Sequence, residues 1–241
     1  MVGGKAPRAL FYLSTPSPTP MSISLLDVYD RLLAHYGHQS WWPGDSPLEI
    51  MVGAVLTQNT SWKNVEKAIV NLKEEGLLDP FKLHETPVEE LAEIIRPAGY
   101  YRLKAKRLQN LMRYVVDVHS GDLEAMFACS VDSLREDLLA LNGIGPETAD
   151  AILLYAGNLP TFVVDTYTSR VLKRHGWIEQ EADYHQIQDQ FVSQLPEDVA
   201  LFNEYHALLV RVGNGHCRKT PKCETCPLCD LLPPSGIEEG F

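Results

Sequence analysis

The chain has 241 residues, 45% of them hydrophobic, with 32 Asp and Glu against 21 Lys and Arg for a formal net charge of -11. That is enough apolar material for one large domain or for two lobes on a shared core. No apolar run approaches the roughly 20 residues of a membrane-crossing helix. The acidic total excludes a uniformly basic surface, so only local basic areas are left to meet a polyanion.

Residues 1–21 read as a disordered tail and not as a signal peptide. "ALFYL" is short and runs into "STPSPTP" in place of a cleavage site, and Met21 offers a second start. A cytoplasmic location is the expectation.

From residue 22 the apolar spacing is helical. Leu25, Leu26, Tyr29, Leu32, Leu33 and Tyr36 recur at three and four, as do Val65, Ala68, Ile69 and Leu72, then Leu108, Leu111, Met112 and Val115. Ser46-Pro47 starts one helix. "TPVEE" predicts another, with Thr86 as N-cap, Pro87 at the first position and Glu89 closing a capping box. Between Ile94 and Val116 stand Arg96, Arg102, Lys104, Lys106, Arg107 and Arg113 with no acid among them, either a basic patch or a solvated helix face. A second basic area gathers Lys173, Arg174, Arg211, Arg218, Lys219 and Lys222. Only "TFVV" suggests a strand, and it is short. The fold class predicted is all-α.

Residues 133–141 predict a short amphipathic helix, "NGIG" a tight turn, and "PETADAILLYA" a second helix with Pro146 at its first position. Gly143 and Gly145 supply backbone freedom, and Asn142, Gly143, Ile144 and Gly145 would present successive N–H groups to an anion. Such a hairpin grips phosphates without reading bases, though an ordinary interhelical turn has the same pattern. Downstream, "VVDTYTSRVL" makes Asp165 a natural helix N-cap.

Taken together, "LNGIGPETA" and "VVDTYTSRVL" resemble the helix-hairpin-helix DNA glycosylases of the endonuclease III superfamily, over nearly the whole chain past residue 22. The resemblance implies that Asp165 is the catalytic carboxylate and that the hairpin binds the DNA backbone beside a lesion. It implies a partner, double-stranded DNA containing a damaged base, met by a monomer near the nucleoid. Cleaving an N-glycosidic bond passes through an oxocarbenium-like sugar, which a nearby carboxylate stabilises.

Members that also cut the strand carry a Lys two residues after the second hairpin glycine. Here that position is Glu147, which cannot form a Schiff base, so lyase activity is not expected. Adenine-mismatch members carry a Glu where this chain has Ala54. "SWWPGDSPLEIMVGAVLTQNTSWKNVEKAIVNLK" looks like the corresponding stretch of the 3-methyladenine DNA glycosylase III group. By that resemblance Trp41, Trp42, Pro43 and Trp62 line a base pocket together with Gln58 and Glu147. Facing indoles would attract a flat cationic purine by about 0.5–2 kcal/mol per contact. Gln58 would bond the flipped nucleotide, plug the gap left in the duplex, or serve as a buried amide.

Cys217, Cys223, Cys226 and Cys229 form C-x5-C-x2-C-x2-C, a spacing that suits one compact [4Fe–4S] cluster better than the alternative, zinc, whose ligands usually come as separated pairs. The superfamily has such a cluster, with a basic loop between its first two cysteines that Arg218, Lys219 and Lys222 match. Its usual spacing is x6, x2, x5, and the x5 position here is Leu232, so Cys229 is the least secure ligand. The 3-methyladenine group has no cluster, and the chain therefore combines two subgroups. Cys129 is expected to be a buried bystander.

The organisation expected is a six-helix barrel with the hairpin over 46–159, a second lobe from 22–45 and 160–232 that bears Asp165 and the cysteines, and a tail over 233–241. The activity expected is monofunctional release of an alkylated purine such as 3-methyladenine. The alternatives are a glycosylase for oxidised pyrimidines or mismatched bases, a non-catalytic damaged-DNA-binding iron–sulfur protein, and an iron–sulfur redox sensor.

Overall fold

The computed structural model describes residues 24–237; the expected N-terminal tail and the last four residues lie outside them. Twelve α-helices follow in order: α1 (Leu25–Tyr36), α2 (Pro47–Leu56), α3 (Trp62–Glu74), α4 (Pro80–Glu85), α5 (Val88–Ile94), α6 (Tyr101–His119), α7 (Leu123–Phe127), α8 (Val131–Ala140), α9 (Pro146–Ala151), α10 (Thr166–Arg174), α11 (Tyr184–Gln194) and α12 (Val199–Gly215). Among the described residues there is no strand. Residues 161–164, the one strand candidate, run as irregular chain between α9 and α10.

The helices start where short polar side chains accept the first free amides. Ser24, Ser46, Asp79, Asp122, Ser130, Asp165, Asp183 and Asp198 all cap in this way. The box expected at Thr86 does not form. The Thr86 hydroxyl and amide both donate to the Lys82 carbonyl and close α4, and Pro87 takes the capping position of α5 without a side-chain bond. The box forms instead at Asp183 and Gln186.

One continuous apolar core runs through the molecule. α1 packs on α12, so the first helix lies with the C-terminal part of the chain, and α10 also packs on α12. Phe162 stacks on Phe191 at 3.8 Å and meets Phe202 edge-on. α2, the most buried helix, lies against a widened π turn, Ile152–Ala156, which continues α9. Such turns recur at functional sites, and this one carries Tyr155.

Two buried polar anchors fix the parts around the cleft. Lys104 is 1% exposed, so it adds nothing to the surface patch the sequence suggests. Its ammonium donates to the Leu56 and Ala98 carbonyls at 2.8 and 2.7 Å, capping α2, and burial lowers its pKa to about 8. Asp150, fully buried, accepts both arms of Arg135 at 2.7 and 3.0 Å, and also Tyr184, Gln188 and Thr161. It thereby joins α8, α9, α11 and the segment leading to Asp165.

Candidate active site

A cleft of about 510 Å³ opens between these helices. Its lining brings Trp41, Trp42 and Trp62 together with Glu147, Asp165 and His206, and the Trp41 and His206 rings lie 6.3 Å apart. Pro43 is exposed and outside the lining, so the turn after the tryptophans leads away from the pocket.

Asp165 caps α10: one carboxylate oxygen accepts the Thr168 amide at 2.7 Å, and the other stands 3.8 Å from Nε2 of His206. Burial pushes its pKa up, but His206 and the Thr168 amide outweigh burial and hold the carboxyl below the ordinary value. Capping and chemistry thus use different oxygens of one side chain.

Glu147 follows Pro146 at the start of α9. It is exposed to the cleft that it lines. Burial and the charge of Asp165 raise its pKa to about 7, against the opposing pull of His206. Among the described residues no lysine lines the cleft.

The three indoles come together but do not face one another. Trp42 meets Trp62 at 87° with ring centroids 5.1 Å apart, and Trp41 at 76°. Its closer-to-parallel neighbour is Tyr155, at 31° and 5.0 Å.

Gln58 is fully committed to the protein. Its amide nitrogen donates to Thr148 Oγ1 at 2.9 Å and to the Gly143 carbonyl at 3.2 Å, and its oxygen accepts Arg107. Asn59, next to it, has φ 53° and lies at the junction of the cleft and the groove along the hairpin.

In the hairpin, Ile144 is buried and its amide closes the turn on the Leu141 carbonyl at 3.1 Å. Gly143 has φ 95°, and a Cβ there would lie 2.3 Å from Cγ of Arg107, which packs directly on the glycine. Asn142 and Gly145 are exposed, and the Asn142 carbonyl accepts Asn110. The hairpin groove is lined by Arg107, residues 143–148, Gln58, Asn59 and Tyr184.

Cys217, Cys223, Cys226 and Cys229 line one separate cavity with Arg174 and His175. Arg174 donates to the Arg218 and Lys219 carbonyls at 2.6 and 3.3 Å, and Arg170 to the Cys217 carbonyl at 2.6 Å. The helix capped by Asp165 therefore holds the cysteine loop at its other end. Arg218, Lys219 and Lys222 are exposed on that loop. Cys129, expected to be buried, is exposed at the end of α7.

His206 and Tyr155 are absent from the sequence-derived site. They are bonded across 51 positions of chain, and in "NEYHALLV" His206 is one polar residue among several with no motif to mark it.

A hairpin with open amides beside a deep aromatic cleft, with an ionised carboxylate at its wall, is the arrangement of a helix-hairpin-helix DNA glycosylase. Residues 52–197 match the HhH-GPD superfamily base excision DNA repair proteins, and the chain belongs to that family as a base-excision-repair DNA glycosylase. It is 49% identical over 203 residues, 83% of this chain and 92% of the relative, to a Methanocaldococcus jannaschii protein provisionally named a DNA repair glycosylase. Endonuclease III in a non-covalent DNA complex superposes with a TM-score of 0.74 at 26% identity, covering 86% of this chain and 92% of that one. A Helicobacter pylori 3-methyladenine DNA glycosylase bound to 1,N6-ethenoadenine gives 0.67 at 29% identity, over 78% and 96%.

Proposed function

We propose that the chain is a monofunctional glycosylase that releases alkylated purines such as 3-methyladenine from double-stranded DNA. The observation that carries this is a base-sized cleft lined by three indoles and Asp165, with no lysine in its lining among the described residues. The likeness to the Helicobacter pylori enzyme supports it.

A base turned out of the duplex stacks on one indole and meets another edge-on, since Trp42 and Trp62 are nearly perpendicular. An alkylated purine is cationic, so it leaves as a neutral base when the bond from C1′ to nitrogen breaks, with the electron pair going to the base. The ionised Asp165 faces the oxocarbenium that remains. Water then adds to C1′ and loses its proton to the carboxylate or to solvent. Among the described residues no lysine lines the cleft to form a Schiff base, so the abasic strand would stay intact.

The DNA would lie along the hairpin groove, with phosphates on the open amides around Gly143 and Gly145 and a second contact on Arg218, Lys219 and Lys222. Because Gln58 is tied to the hairpin, Asn59 inherits the role of filling the gap left by the turned-out nucleotide. The lobes proposed remain 46–159 for the barrel, and 22–45 with 160–232 for the part bearing Asp165 and the cysteines.

The four cysteines fit a [4Fe–4S] cluster. They line one cavity, yet among the described residues no three donors converge on a point as a single ion requires. Burial and mutual repulsion raise the pKa of Cys223 and Cys226, so these thiols would keep their protons until a metal displaced them to solvent. Such a group supplies structural charge that fixes the loop on Arg170 and Arg174.

A second reading, release of oxidised or mismatched bases, keeps the same Asp165 and is favoured by the endonuclease III likeness. Base release from methylated duplex DNA decides, with wild type beside Asp165→Asn and strand cutting scored separately. Loss of 3-methyladenine release in the variant without strand cutting supports the proposal. Release only from oxidised or mismatched duplexes establishes the second reading, and strand cutting removes the monofunctional assignment.

A further inference from the structure

We propose that His206 is a positioning residue for the reaction at Asp165. In this arrangement the Tyr155 hydroxyl fixes the imidazole tautomer, and Nε2–H of His206 holds the free carboxylate oxygen of Asp165 toward the sugar. The inference rests on Asp165 being the carboxylate that faces the sugar.

The geometry is a chain of three side chains from three parts of the fold, two buried and the third, Asp165, partly open to the cleft. Tyr155 comes from the π turn, His206 from α12 and Asp165 from the cap of α10. The Tyr155 hydroxyl and Nδ1 of His206 are 2.5 Å apart, and the two residues are 5% and 4% exposed. Burial and the charge of Asp165 push the phenol pKa far up, so Tyr155 keeps its proton. When the phenol donates, Nδ1 accepts, and the imidazole carries its proton on Nε2.

Nε2 is buried and has no hydrogen-bond partner among the described residues. A buried donor without an acceptor costs about 1–3 kcal/mol, so its direction matters. It faces Oδ2 of Asp165 at 3.8 Å, the oxygen not used in capping. That separation is too long for a hydrogen bond. Contacts of this kind in ligand-free sites tighten when substrate arrives. The groups facing the imidazole are the carboxylates of Asp165 and Glu147, the Tyr155 phenol and the Trp41 ring at 6.3 Å; none is basic. With Nε2–H on Oδ2 and the Thr168 amide on Oδ1, the carboxylate cannot rotate, and its charge stays aimed at the developing cation.

The test uses the full chain as wild type, His206→Phe, His206→Gln and Tyr155→Phe, with three readouts. Nitrogen-15 spectra of the histidines report the tautomer directly: His206 is expected with a bare Nδ1 and a protonated Nε2, and Tyr155→Phe to give a mixture. Single-turnover base release should fall about 100-fold in His206→Phe, recover about tenfold in His206→Gln, whose amide reaches the Nε2 position, and fall about tenfold in Tyr155→Phe. Affinity for abasic-site duplex should stay within about twofold of wild type throughout.

A protonated Nδ1 in the wild type overturns the proposal, and so does a His206→Phe rate equal to wild type. Equal loss of binding and rate in His206→Phe with no recovery in His206→Gln would also overturn it, because that marks a packing role. If the wild type itself releases no alkylated purine, the reading of the substrate fails and the spectra alone decide the role of His206.

Discussion

Glu147 and Asp165 line the same cleft, yet their carboxyls are driven apart in acidity. The Thr168 amide and His206 hold Asp165 below the ordinary range, while burial and the Asp165 charge lift Glu147 to about 7. Near neutrality Asp165 is therefore fully ionised while Glu147 stands close to its midpoint. A cationic base would meet its strongest field on the Asp165 side.

That split sets a pH signature. A carboxyl whose folded pKa lies above its unfolded value binds more protons when folded, so its stabilising effect is present at low pH and is lost as pH rises through about 7. Melting temperatures of wild type and Glu147→Gln, measured from pH 5 to pH 8, should diverge with rising pH, the variant being the more stable at pH 8. A constant difference across that range would show that Glu147 ionises as an ordinary surface acid.

The hairpin glycines should separate cleanly. Gly143 has φ 95° and is pressed by Arg107, whose guanidinium also holds Gln58. Gly143→Ala should cost about 1–3 kcal/mol of stability through strain and displacement of Arg107, and weaken DNA binding about tenfold. Gly145 has φ −96° and open space where a Cβ would stand, so Gly145→Ala should cost under about 1 kcal/mol. Denaturant unfolding and binding to abasic-site duplex check both.

What could be read from the sequence was what is local in the chain. The hairpin over 142–145, the cap at Asp165 and the cysteine crowding each sit within a few residues, where turn chemistry and capping act. What could not be read depends on distant partners. Gln58 was legible as a polar residue near the pocket, but its commitment to Arg107 spans 49 positions. Lys104 looked like part of a basic face because its neighbours are basic, although it points inward to cap α2. Cys129 sits beside apolar "MF", yet α7 ends there at the surface. The tryptophans were found, but their perpendicular packing depends on where Tyr155 stands.

Asp150 gives the sharpest stability prediction. It is fully buried and accepts from four side chains, so Asp150→Ala leaves the Arg135 charge without its partner and several donors unmade. The loss should be about 3–5 kcal/mol by denaturant unfolding. Asp150→Asn, which keeps the shape and part of the acceptor set, should lose about half as much. Since Tyr184 also takes the Val164 amide at 3.4 Å, both variants should slow base release as the segment before Asp165 loosens.

The cysteines divide by position. Cys229 lines the cavity with Cys217, Cys223 and Cys226, whereas Cys129 is exposed at the end of α7. Purified Cys229→Ser should contain less iron and inorganic sulfide than wild type, and Cys129→Ser the same amount. Iron removal by a chelator should lower the melting temperature of wild type, because a metal that binds only the folded chain stabilises it by mass action. It should also slow base release, since Arg170 and Arg174 carry the loop's position back along α10 to the residue that caps it. Wild-type iron content in Cys229→Ser would remove Cys229 from the ligand set. An unchanged melting temperature after iron loss would instead show that Arg170 and Arg174 hold the loop without the metal.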